Sequence, residues 1–356
     1  MNTKLTNLFI KLVKVTSPSG KEELFVQYIK KWLKEMNLHY QTDKLGNTLA
    51  KKNGIGEPFL FCVHMDTVNP GKGIKPVIKN GIIKSSGDTV LGGDNKAALA
   101  CLLIAVEKYL KTCKQPRAFE LLFTVKEETG GGVEFFPFEW IKSKKALVFD
   151  FAKPLGGIVL RSPYIINFHA QFIGKASHSS MPEQGKNALK TVIQALNNIQ
   201  LGKLDNGETT INVGLIQGGT GINIVPGKVN ISGEIRSYSK ELFDKKLKEI
   251  NSIFAESAKK NKLTFIFKTD GYCPGYEHDP KSSFIKDVKK LLLKINLKPK
   301  LYYYSGVSDA NILNYKGLKT VNVCDGVKNP HTLNEQIRIG GLKKLEEIIY
   351  SFLLSY

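Results

Sequence analysis

Apolar residues recur at helical spacing through residues 4–36, with a break at Ser17-Pro18-Ser19-Gly20, which predicts two amphipathic helices with Ser19 capping the second ahead of Glu22 and Glu23. The period then shortens. Residues 48–51 and 58–64 read as strands, and Phe59, Leu60, Phe61 and Val63 make the second apolar enough for the middle of a sheet. Asn80-Gly81 marks a tight turn inside a polar hairpin over 71–84. A helix is expected over 97–110, entered through Leu91-Gly92-Gly93-Asp94, and buried strands over 118–125 and 146–149. Three of these strands deliver polar residues at their C-terminal ends: His64, then Glu127 and Glu128, then Asp150. Strand and helix alternating in this way describe an open α/β sheet whose ligands gather along the carboxyl edge.

The pattern changes after Arg161. Strands over 164–173, 209–215, 229–237 and 263–268 interleave with helices over 187–198 and 240–260, an α+β arrangement suited to an inserted domain. From about Gly271 helix and strand alternate again over 282–293, 300–304, 310–313 and 320–323, and a helix over 342–354 closes the chain. At 356 residues two compact units are expected, 1–160 with 271–356 and the inserted 161–270. The chain shows no internal repeat.

Composition adds exclusions. With 42% hydrophobic and 24% charged residues the chain reads as a soluble globular protein, and no apolar stretch approaches a membrane span. The N-terminal pattern lacks the apolar core and cleavage site of a leader, so a cytoplasmic protein is expected. Five widely spaced cysteines, odd in number, suit reduced core thiols better than a disulfide framework. The net charge of +20 invites a nucleic-acid partner, but its lysines are scattered along amphipathic helices with no basic arm or recognition signature, so no nucleic-acid partner is expected.

Chemistry concentrates in His64, Asp94, Glu128, Asp150 and His331. Taken alone, Asp94 reads as a helix cap beside two glycines that give a ligand room. Together, two imidazoles and three carboxylates are what two neighbouring divalent cations need: two ligands each plus one shared carboxylate, for which Asp94 is the natural bridge. Asp66, two residues past His64, is placed to fix the imidazole tautomer, and one of the Glu127-Glu128 pair can ligate while the other serves as general base.

The blocks His64-Met65-Asp66-Thr67-Val68, Gly92-Gly93-Asp94-Asn95-Lys96-Ala97, Glu127-Glu128-Thr129-Gly130, Val148-Phe149-Asp150 and Asn329-Pro330-His331-Thr332 resemble, in order, those of the peptidase T branch of the two-zinc aminopeptidase, carboxypeptidase and aminoacylase family. The resemblance implies a catalytic domain with a mixed, mostly parallel sheet flanked by helices, and an inserted α+β lid and dimerisation domain. It implies one metal held by His64, Asp94 and Asp150, a second by Asp94, Glu128 and His331, with zinc expected and cobalt or manganese as alternatives. Glu127 would be the general base, Asp66 its catalytic-site companion, and Asp94-Asn95 a cis peptide. In Lys175-Ala176-Ser177-His178-Ser179-Ser180, His178 would stabilise the tetrahedral intermediate, reaching across a homodimer in many members. Asn223 and Arg236 would bind a substrate carboxylate. Asp at position 150 points to release of the N-terminal residue from di- and tripeptides; the alternative is a carboxypeptidase or N-acyl-amino-acid amidohydrolase.

Overall fold

The computed structural model describes residues 3–356. It divides into two compact units, one formed by residues up to Leu160 with His278–Tyr356, the other by Arg161–Glu277.

In the larger unit the strand Ile55–His64 lies in the middle of a six-stranded sheet, parallel to Arg117–Thr124 on one side and Lys145–Val148 on the other. Lys319–Asn322 continues the parallel run, while Thr48–Lys52 and His39–Thr42 finish the opposite edge antiparallel. The sheet is thus mixed and mostly parallel. Residues 59–64 are all buried, as befits a parallel strand covered by helices on both faces. The helix Gly93–Thr112 is apolar nearly all round because it too is enclosed: Leu99, Leu102, Leu103 and Val106 are all fully buried, between the sheet and the closing helix Ile339–Ser355. Parallel strands align their carboxyl ends, so His64, the Glu127–Thr129 turn and Asp150 arrive along one edge. The expected hairpin pairs Pro76–Lys79 with Ile82–Ser85 about Asn80 and Gly81, both at positive φ.

The smaller unit is a five-stranded antiparallel sheet, in the order Gly202–Leu204, Thr209–Gly218, Lys228–Ser237, Tyr164–Ile173 and Thr264–Cys273. Alternation assigns its faces. Phe168, Ala170 and Phe172 turn inward with Ile231 and Ile235 onto the helices Ala188–Leu196 and Lys240–Lys260, which contribute Val192, Phe243, Ile250 and Phe254. The strand expected over 263–268 continues to Cys273. Gly271, which had marked the return to the larger unit, instead occupies a bulge at φ 62° between the paired residues Asp270 and Cys273. The unit therefore extends to Glu277. Among the described residues no helix is long and apolar enough to cross a membrane.

Candidate metal centre

His64 ends its strand fully enclosed, with Nε2 3.2 Å from Asp94 Oδ1 and Nδ1 3.3 Å from Asp66 Oδ1. Asp66 faces more than that ring. The backbone N–H groups of Glu127 and Glu128 donate to it at 3.1 Å each, and the Ser19 hydroxyl at 2.7 Å. One buried carboxylate thus orients the imidazole and fixes the turn carrying both glutamates. Ser19 was expected to cap the helix Glu23–Glu35; that helix starts after Glu22 without a side-chain cap, because the Ser19 hydroxyl is engaged by Asp66. Glu22, almost fully buried, accepts from Gly20 N and Lys126 N at 2.7 and 3.0 Å, and so holds the residue before Glu127 at its positive φ of 56°.

Asp94 follows Gly92 and Gly93, the first of them at φ 69°, and its peptide bond to Asn95 is cis. Its second oxygen faces His331 Nε2 at 3.4 Å, and the same nitrogen lies 2.9 Å from Glu128 Oε2. Asp150 is set by Asn322, whose side chain accepts from Asp150 N at 3.0 Å and donates to Asp150 O at 2.8 Å. All five expected ligands and Glu127 are therefore in the larger unit, at or beside one sheet edge. The support that Asn322 gives Asp150 and Glu22 gives Lys126 is not legible in the sequence, since each acts on backbone atoms, 172 and 104 residues away.

Donor atoms of His64, Asp94 and Glu128 lie within 4.8 Å of one another, as do those of His64, Glu127 and Asp150. The second trio draws in Glu127, expected only as a base. Electrostatics fits two cations. Burial, followed by repulsion from Asp150, raises the Glu127 pKa well above its ordinary range; burial, followed by repulsion from Asp94, does the same to Asp150. Burial also raises Glu128, outweighing the hydrogen bond from His331. At Asp94 burial is overcome by hydrogen bonds from His331 and His64, which hold its carboxyl well below the usual range. At His64 burial is likewise overcome, by Asp66 and Asp94, so its pKa is raised. Four carboxylates packed this closely repel one another unless protons or cations intervene, and an all nitrogen-and-oxygen donor set suits divalent first-row ions.

The remaining expected residues belong to the smaller unit. His178 pairs with Ile224, and the Asn223 carbonyl accepts from Ser179 N at 2.9 Å, so His178 and Asn223 are neighbours. His178 Nδ1 accepts from Ser180 N at 3.2 Å, and the residue is exposed. Arg236 pairs with Ile165, while Lys228, at the other end of the same strand, pairs with Ile173 next to the His178 turn. Those ends are eight residue steps apart, roughly 25 Å. The Arg236 guanidinium is held by Glu234, with Nη2 2.9 Å from Oε2.

Comparison with known proteins agrees with this geometry. Residues 162–262 match the model of the M20 peptidase dimerisation domain. The structure superposes on an aminopeptidase PepT of Bacillus cereus with a TM-score of 0.92 and 30% identity, covering 98% of this chain and 97% of that one. It superposes on a tripeptidase of Staphylococcus aureus at 0.94 and 26%, covering 99% and 98%. A succinyl-diaminopimelate desuccinylase of Pelagibacter ubique is 28% identical over 338 residues, 88% of this chain and 84% of that protein. With near-complete coverage at this identity and a carboxyl edge built for two divalent cations, the chain belongs to the M20 family of metallopeptidases, in its peptidase T-like branch.

Proposed function

We propose that the protein is a cytoplasmic aminopeptidase that removes the N-terminal residue from di- and tripeptides. The observation that carries this reading is the pair of donor trios sharing His64, with Glu127 among them. His64, Asp94 and Asp150 would hold one zinc ion, and Asp94, Glu128 and His331 the other. The bound ions supply Lewis acidity, polarising the scissile carbonyl and acidifying water. Glu127 accepts a proton from the attacking water and returns it to the departing amine as the C–N bond breaks. Asp66 keeps His64 oriented and the Glu127 turn in place. His178 donates to the developing oxyanion, and Asn223 and Arg236 take the peptide carboxylate.

Arg236 stands roughly 25 Å along its strand from Lys228, whose partner Ile173 leads into the His178 turn, and this separation supports a homodimer, in which one short peptide meets all three residues when two copies contribute. The strand Thr209–Gly218 is paired on its outer side only at residues 209–211, and beyond them Leu215 and Ile216 are 58% and 50% exposed, an edge suited to a second copy. Five free cysteines support the reducing cytoplasm.

The test is hydrolysis of a panel of free and N-blocked di- and tripeptides, with metal analysis of the same preparation. Release of the N-terminal residue from free peptides alone is expected. Cleavage of N-acyl substrates in preference would refute the aminopeptidase reading and favour the activity named for the desuccinylase relative.

A further inference from the structure

Asp94 leads into the helix Gly93–Thr112, but its own backbone (φ -79°, ψ 107°) and that of Asn95 are not helical. Its two carboxylate oxygens face His64 and His331. The backbone on which it stands is gripped by a different carboxylate. Glu335 Oε2 accepts from Gly92 N at 2.7 Å and Oε1 from Asp94 N at 2.9 Å, with the side chain almost wholly buried. The approach is close enough to explain Gly93: a Cβ there would lie 3.1 Å from Glu335 Oε1 and 3.5 Å from the Val327 methyls. The glycine makes room for this carboxylate, inside the protein. Glu335 also sits four residues after His331, in a loop closed by reciprocal Lys328–Gln336 backbone bonds of 2.9 and 3.0 Å and by Glu335 N to Thr332 O at 3.1 Å.

We propose that Glu335 is a positioning residue for the bridging carboxylate. By gripping the N–H groups of Gly92 and Asp94 it fixes the backbone that aims the Asp94 carboxylate, and because it shares a loop with His331 it sets those two metal-facing groups against each other. The inference rests on the ligand roles proposed above for Asp94 and His331. A group that merely fills space or caps a helix would satisfy the same cavity, and glutamine separates the two roles. Glu335→Gln keeps the shape but turns an NH2 donor toward one of the N–H groups, so one bond becomes a donor–donor contact and the backbone beneath the Asp94 carboxylate loses its anchor.

The experiment uses the full chain, stripped of metal, with zinc titrated against a chelator of known affinity and thermal melting of the metal-free protein measured alongside. In Glu335→Gln one of the two zinc ions should bind about 10- to 100-fold more weakly, the scale for losing a group that orients a ligand. Both ions binding with wild-type affinity, whether or not the melting temperature falls, would overturn the proposal. Should Glu335→Gln not fold, Gly93→Ala decides, since it crowds Oε1 and leaves the carboxylate in place: weaker binding of one ion supports the clamp, and wild-type affinity overturns it. A wild-type protein that binds two zinc ions yet cleaves no peptide would defeat the proposed function and leave the clamp standing.

Discussion

Metal binding should be steeply pH-dependent, and the slope can be worked from His331. Hydrogen bonds to Asp94 and then Glu128, acting against partial burial, raise its pKa from about 6.5 to about 10. A cation needs the neutral imidazole, so binding expels that proton. With a pKa near 10, about one ring in a thousand is neutral at pH 7, and apparent affinity changes about tenfold per pH unit until the pKa is reached. Between pH 6 and 8 the affinity should rise about a hundredfold from this proton alone. The ring is 52% exposed, so water screens its partners, yet the slope stands as long as the pKa stays above 8. The raised pKa values of His64, Glu127 and Asp150 can only steepen it. The metal-free fold shows the opposite sign: a raised histidine pKa stabilises the folded chain fully below about pH 6.5, and that contribution is lost as pH rises towards about 10. Chelator competition at pH 6, 7 and 8, with calorimetry in buffers of different ionisation enthalpy, measures both slope and proton release. A flat affinity over this range, or His331→Ala binding with an unchanged slope, would refute the reasoning.

Two substitutions test other parts of the site. Glu127→Gln should lower turnover about 10²- to 10⁴-fold with both cations retained, as removal of a general base does. Loss of a cation from that variant would identify Glu127 as a ligand, in keeping with its place in the second donor trio, and near-normal rates with metal bound would exclude both roles. Ser19→Ala removes a 2.7 Å hydrogen bond to a buried carboxylate and should destabilise the protein by about 1.5–3 kcal/mol in denaturant unfolding. Stability equal to wild type would mean that Asp66 does not depend on the N-terminal segment.

What was legible in the sequence is what a strand reports about itself. A run such as Phe59-Leu60-Phe61-Cys62-Val63 announces burial, and parallel strands must release their C-terminal residues on one side, so His64, Glu128 and Asp150 could be gathered before any coordinates. The extent of the smaller unit was less legible: Gly271 carries the signal of a chain break, and only the ladder to Tyr164–Ile173 shows it to be a bulge within a longer strand.

The groups that hold the metal-facing residues were hidden for a different reason. Ser19 precedes a helix and reads as its cap, yet its hydroxyl reaches Asp66, 47 residues away. Asn322 meets the Asp150 backbone across 172 residues, and Glu335 meets Gly92 across 243. Each bond ends on a backbone atom or on an already recognised carboxylate, neither of which leaves a mark in local sequence. Asp94 shows the consequence. Taken locally it is a helix cap beside two glycines. In the fold Glu335 grips the N–H groups of Gly92 and of Asp94 itself, while the Asp94 carboxylate faces two histidines, an arrangement that only a residue 241 positions away along the chain makes possible.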